Sequence, residues 1–461
     1  MMLPAGLLGD RYGRKKVMLV ALALFGVGSA ACAYAPSAGA FIAARVVLGL
    51  AGAGVIVMAL SALTVLFTRE ERPRAVGIWA AANFLALPLG PILGGWLLTN
   101  YWWGWVFLLN VPVALVGLAA AFALVPESRS PLRPKLDTVG IVASTAGLVG
   151  VTYGLIEAGR NGWTDISALL PIIAGLLVLV GFFLWERRLS LRPGGQPLVD
   201  FALFRSAAFT WGVILAAIAA LAMIGVLFTM PQFFQGVQRA DAMGSGLRLL
   251  PLIAGLIVGA VPADRVARLV GAKLTVALGF ILLAAGLLLG ATTGVGSSGT
   301  FIAAWMALVG AGMGFAMATA TSAALSELSQ ERSGVGSAVM QALQKLGGPF
   351  GSAILGSVLS SAYQAHLNLA GLPSRVAQVV KESLFGGLAV AQQLGSAQLL
   401  ASVRTAFVQG MDVSLVVAAG IAAAGFVLTL AFLPGRTASK AGGAEPVEAS
   451  SARRPAGTAS S

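Results

Sequence analysis

The chain has 461 residues, of which 58% are hydrophobic and only 10% charged. No water-soluble core could hide that much apolar surface, so lipid must solvate most of the chain, and its length counts membrane spans rather than soluble domains. The net charge of +13 is spread over loops and a tail rather than gathered into one basic face, which excludes a nucleic-acid-binding protein, and a single cysteine and a single histidine leave no disulfide and little scope for a metal site.

In chain order, residues 1–9 are too short to cross a bilayer and read as the last turns of an earlier helix. That implies a start lacking about one and a half helices, with no signal peptide ahead of it. Gly6, Gly9 and Gly13 then space a charge-dense hairpin. Asp10, Arg11, Arg14, Lys15 and Lys16 precede twenty uncharged residues, which marks a bilayer edge. Glycines permit a tight turn, and Asp10 can hold neighbouring guanidinium groups in charge-assisted bonds, so the hairpin is a candidate lock between helices.

At ~20 residues per crossing, apolar runs predict about twelve spans near 17–36, 39–67, 75–99, 104–125, 138–158, 166–186, 208–230, 244–263, 273–293, 300–326, 335–362 and 412–433. The second carries Arg45 beside Gly49, Gly52 and Gly54. An intramembrane arginine normally faces a partner or a wet cavity; the alternative is that Arg45 snorkels to the outer surface. The third contains Gly77 and the string Gly90, Pro91, Gly94, Gly95, where proline removes a backbone bond and bends the axis and glycines let the bent face seat against another helix. Trp102, Trp103 and Trp105 are interface anchors.

Residues 126–137 form a proline-rich basic linker, followed by two spans with no counterpart elsewhere and a basic loop at 187–206. Beyond it, Arg248 is expected at the interface, paired with Asp241 or water. Gly310, Gly312 and Gly314 make the span over 300–326 glycine-rich, and Lys345 is a cavity cation or a snorkelling one. Residues 363–411 form a long external segment, helical in period over 375–400, that is expected to lie along the membrane surface. Glu157 and Asp412 fall near the outer ends of their spans. The tail from Gly435 is expected to be disordered.

The chain also repeats itself. Asp264, Arg265 and Arg268 follow the pattern of Asp10, Arg11 and Arg14; the string from Phe41 returns at Phe301, Glu71 and Arg72 return at Glu331 and Arg332, and Gly90 and Pro91 return at Gly348 and Pro349. All share an offset of about 254 to 260 residues, the mark of a transporter built from two similar halves. Lys and Arg cluster in alternate loops and the tail, which places the Asp10 hairpin and the C-terminus in the cytoplasm. No phosphate-binding loop and no zinc-protease motif is present, so the chain is not read as an enzyme, needs no cofactor, and would draw energy from an ion gradient.

Three strings, Gly6 to Lys16, Arg45 with Gly49, and Gly77 with Gly90, Pro91, Gly94 and Gly95, resemble the signature motifs of the major facilitator superfamily, the third being its antiporter pattern. The two extra central spans, Trp105 to Pro112, and Gln344 with Gly347 and Gly348 resemble its fourteen-span drug:proton antiporter branch, of the EmrB/QacA type. Ala86 stands where the antiporter motif has Gly, Gly104 where the branch has Arg, and the family's first helix, which commonly bears the acidic proton acceptor, has no match. The resemblance implies an all-helical membrane fold of two pseudo-symmetric six-helix bundles with two extra central helices, divided as 1–125, 126–206, 207–434 and a tail at 435–461. It implies that Asp10, Arg11 and Arg14 form a charge lock, that Arg45 is linked to proton transfer, and that Gly90 and Pro91 form a hinge. The expected protein is a monomeric inner-membrane efflux transporter that exchanges small amphipathic or cationic compounds for protons and binds no nucleic acid. The alternatives are a nutrient facilitator or symporter, and a transport-inactive membrane protein.

Overall fold

The computed structural model describes residues 2–66, 89, 90, 92–128, 137–192, 201–326 and 333–434. Within them the chain is helical and contains no strand. Lipid offers no hydrogen bonds to a bare backbone, and helices satisfy every amide from within. In order these are α1 (Met2–Tyr12), α2 (Arg14–Ala33), α3 (Ala38–Leu66), α4 (92–100), α5 (Trp105–Leu108), α6 (Asn110–Leu124), α7 (Thr138–Asn161), α8 (Ile166–Ser190), α9 (Ala207–Gln232), α10 (Ala242–Arg248), α11 (Leu250–Val270), α12 (Ala272–Gly290), α13 (Gly299–Ser326), α14 (Ser333–His366), α15 (Ser374–Glu382), α16 (Leu384–Gln393) and α17 (Ala397–Phe432). Ten helical stretches among the described residues are long and apolar enough to span a bilayer. The predicted span over 335–362 lies inside α14, and most of that over 75–99 is outside the described residues.

Helix parity puts the turn before α2 and the turn between α11 and α12 on one face of the membrane, with the end of α17; we term it the basic face and the opposite one the far face. The largest core runs through α9, α11, α12, α13, α14 and α17, and buries Trp305, Phe280 and Phe407. In α11 and α13 small residues replace bulk at the contact: a Cβ on Gly255 or Gly259 would overlap the backbone of Ala307 or Ala311, and one on Gly314 would overlap Leu256. Because lipid tails are as apolar as side chains, such close backbone approach is what holds these helices together. α2, α3 and α6 share smaller clusters around Leu22, Ala62 and Ala121, and around Cys32, Ala44 and Leu48.

The pair α7 and α8 packs through Gly150, whose Cβ would come within 3.2 Å of Gly175 Cα. It rests on α14 through Val151, Leu155 and Ala353. Asp137 caps α7 by accepting from the Gly140 N–H at 3.0 Å, and it also accepts from the Trp185 indole at 3.0 Å.

Two of three far-face segments differ from the sequence reading. α9 ends at Gln232, where its outer end was expected, and the chain runs on through a π-turn, Phe233–Val237, a wider turn common at functional positions. Residues 374–393 do not lie free on the membrane surface. Val380, Leu384 and Ala391 are buried against the bundle, and the Tyr363 hydroxyl donates to Val380 O at 2.9 Å; this apolar stripe finds a better partner in α14 and α17 than in headgroups. The last span reaches further out than 412, because the buried stripe Leu399, Val403 and Phe407 extends the same helix back to its Ser396 cap.

Candidate functional site

The basic hairpin turns at Gly13, whose φ of +111° suits glycine. α1 carries Gly6, Gly9, Asp10 and Arg11 into the turn and Arg14 opens α2. The Asp10 side chain lies outside the described residues, so the expected lock among Asp10, Arg11 and Arg14 is not described. Arg11 is half-buried, its Cζ 5.5 Å from the centroid of the Tyr12 ring. What the sequence did not disclose is the partner of the turn: the end of α6. Arg14 N–H donates to Ser128 O at 3.0 Å, Lys15 Nζ donates to Phe122 O at 2.7 Å, and a Cβ on Gly13 would overlap the Glu127 carboxylate. Glu127 is a lone acid beyond a span, with no local pattern to signal the contact.

The second copy turns at Gly271, φ +95°, on the same face. Asp264, Arg265 and Arg268 are exposed in α11, and Arg268 precedes the turn whereas Arg14 follows it. Aligned on the turning glycine, Gly13, Arg14 and Lys15 meet Gly271, Ala272 and Lys273. The carboxylate of the second hairpin therefore sits about one helical turn further from its glycine than the first.

Arg45 lies in the second turn of α3, exposed, its Cζ 5.9 Å from the Phe107 centroid. Phe41, Trp103 and Phe107 pack edge to face around it. Its stripe, Ile42, Arg45, Val46 and Gly49, is exposed, while Ala44, Leu48 and Ala51 are buried on the opposite side.

Of the antiporter string, Gly77 and Pro91 are outside the described residues. Gly90 and Gly94 face nothing within 4 Å that is described, but Gly95 is buried against the start of α10: its Cβ would lie 2.6 Å from Ala242 O. Beside it the Met243 N–H donates to Thr99 Oγ1 at 3.4 Å. Gly95 is thus a far-face contact between the two halves of the chain. From the second half's motif, Gln344 Nε2 donates to Thr321 Oγ1 at 3.1 Å, joining α14 to α13, and the Lys345 side chain is not described.

Two cavities open along α9, α11 and α13. The deeper, about 160 Å³, is lined by Met223, Leu227, Leu252, Leu256, Gly310 and Met313. Its walls carry no charge, and methionine side chains adapt to ligands of varied shape. The far-face cavity, about 450 Å³, holds Phe234, Gln238, Arg248, Pro251 and Ile302. Arg248 is not paired with Asp241, whose carboxylate caps α10 at the Gly244 N–H, 2.7 Å away; it donates to Gln238 Oε1 instead. The sequence held only weak signals of either cavity, because their residues are spread over some ninety positions.

Asp412 sits well inside the 36-residue α17, half-buried between Met411 and Leu415 of the core. Its Oδ1 is sealed from solvent and has no hydrogen-bond partner among the described residues. Counting its span from 412 hid this setting, since the helix begins at Ala397.

Comparison with known proteins bears on these features. Residues 1–352 match the family description Major Facilitator Superfamily. A Tetracenomycin C resistance and export protein of Streptomyces glaucescens is 32% identical over 98% of this chain and 86% of its own. The multidrug efflux pump LfrA of Mycolicibacterium smegmatis is 31% identical over 93% of this chain and 85% of its own. Among solved structures, a bacterial homolog of the human lysosomal transporter Spinster, inward-facing and unoccupied, superposes with a TM-score of 0.61 at 16% identity, over 94% of this chain and 86% of that one.

Proposed function

The chain belongs to the major facilitator superfamily, and on that premise we propose that it is a plasma-membrane efflux transporter that exports small amphipathic or cationic compounds in exchange for protons by alternating access. The observation that carries the reading is the uncharged, methionine-lined cavity between α9, α11 and α13, which at about 160 Å³ is smaller than a drug-sized site and whose flexible methionines would have to give way to admit one. Relatives named for drug and antibiotic export support it. The basic face is then cytoplasmic, as the distribution of Lys and Arg argues, and the far face is the exit.

Alternating access needs two arrangements separated by few kcal/mol. We assign the exit contact to Gly95 on Ala242 and Met243, and the cytoplasmic contact to the Asp10, Arg11 and Arg14 hairpin with its counterpart at Asp264, Arg265 and Arg268. We assign proton exchange to Asp412: a carboxylate oxygen shut from water and without a donor among the described residues is costly to hold as a fixed charge. Arg45 is assigned to the same coupling as a positioning cation.

The test is ethidium efflux from cells expressing the full chain, followed as fluorescence loss with and without a protonophore. Gradient-dependent efflux is expected, together with alkalinisation inside reconstituted vesicles when substrate is added. Efflux that continues after full collapse of the proton gradient would refute the exchange mechanism.

A further inference from the structure

The far-face cavity holds a guanidinium that is preorganised rather than merely exposed. Arg248 Cζ stands 5.7 Å from the Phe234 centroid, which fixes one face of the planar group. One Nη donates to Gln238 Oε1, and Gln238 is oriented in turn by its amide to Ser297 O at 3.5 Å. The π-turn at Phe233–Val237 presents both Phe234 and Gln238 to this corner. Of the five guanidinium donors, that one bond is the only one with a partner among the described residues.

Arg239 follows Gln238 in the chain, and the carboxylate nearest in sequence, Asp241, accepts from the Gly244 N–H rather than from Arg248. Apart from Gln238 the rest of the lining is apolar, with Pro251, Ile302 and Ala303 among it. Its volume of about 450 Å³ falls within the range of small-molecule sites. The methionine-lined cavity lies along the same three helices roughly 10 Å further in, at 1.5 Å per residue from Ala303 to Gly310.

We propose that this far-face cavity is a binding station for amphipathic organic acids, with the acid group on Arg248 and the apolar body against Phe234, Pro251 and Ile302. Resting on the efflux reading, it adds a substrate class: compounds leaving the uncharged cavity meet an anion-selective station at the exit, which retains acids and passes cations without delay. A carboxylate can take two parallel bonds from a guanidinium fork, whereas the corresponding amide cannot.

The test compares 1-pyrenebutyrate with its neutral amide, 1-pyrenebutyramide, by equilibrium binding to the full chain in lipid nanodiscs, with empty nanodiscs subtracted. The acid is expected to bind about tenfold more tightly than the amide, the size of one charge-assisted bond. Arg248→Gln should erase that preference, and Arg248→Lys should keep part of it. Lys381→Gln removes the same charge from α15 and should keep all of it. Equal binding of acid and amide to the native chain, or a preference that survives Arg248→Gln or disappears in Lys381→Gln, would overturn the proposal. Ethidium efflux separates the two readings: gradient-driven efflux without acid preference removes the station alone, and acid preference without efflux removes the transport reading alone.

Discussion

Replacing Gly95 by alanine puts one methyl group into the contact between α4 and α10. The added Cβ would lie 2.6 Å from Ala242 O and 2.9 Å from Met243 Cα, against the 3.4 Å at which ordinary contact begins. Both obstacles are backbone, so no rotamer relieves the overlap of about 0.8 Å and the helices must separate. Overpacking of this kind costs about 1–3 kcal/mol, and it applies only to the arrangement in which the far face is closed. The equilibrium between closed and open far faces should therefore shift about 5- to 150-fold toward open. Cysteines at Thr99 and Met243, positions joined by a 3.4 Å bond from the Met243 backbone N–H to the Thr99 hydroxyl, report closure by their oxidative cross-linking rate in a Cys32→Ala background, Cys32 being the chain's only cysteine. Gly95→Ala should slow cross-linking at least about fivefold. Gly90→Ala and Gly94→Ala, which meet nothing described within 4 Å, share only the gain in helix propensity of about 0.5–1 kcal/mol and should leave the rate unchanged. An unaltered rate in Gly95→Ala, or equal slowing in all three, would refute the reasoning.

The remaining predictions concern charge. Asp412→Asn should cut proton-coupled efflux at least about tenfold while pyrenebutyramide binding persists; native efflux rates would remove Asp412 from the coupling. Arg45→Ala should abolish gradient-driven export, with Arg45→Lys testing whether charge alone suffices, and undiminished pumping in both would leave Arg45 as a snorkelling residue. Asp10→Asn should slow exchange between the two facing states without affecting membrane insertion, and wild-type turnover would dismiss the lock. Asp165 is held below its ordinary value, first by the Ser167 hydroxyl and then by the Ser167 N–H. A depressed carboxylate stabilises the fold above its unfolded pKa and loses that contribution as pH falls through the folded one. Protection of the Ser167 amide, corrected for intrinsic exchange, should thus persist down to pH 3.8 and fade only below it; loss already at pH 5 would contradict the cap.

Most of the architecture was legible in the chain because its cause is local. A bilayer reads apolar run length directly, so spans such as 166–186 and 273–293 emerged as α8 and α12. The turn at Gly13 was equally visible, since a glycine amid charges at a bilayer edge has few other uses. The second hairpin shows the limit: matching Asp264 to Asp10 by residue type ignored the backbone, and Gly271 rather than the carboxylate sets where the chain reverses.

Sequence alone thus determined the medium and the order of most spans, which follow from composition and spacing within some twenty residues. Tertiary structure decided which glycine touches backbone: Gly95 and not Gly94, a distinction set by which face of α4 meets α10. It also decided that Arg248 takes Gln238 instead of Asp241, and that Asp412 is half-buried in mid-helix rather than at a helix end. These depend on how distant helices seat against one another, and seating is settled by packing across many residue pairs at once, which no single stretch of chain encodes.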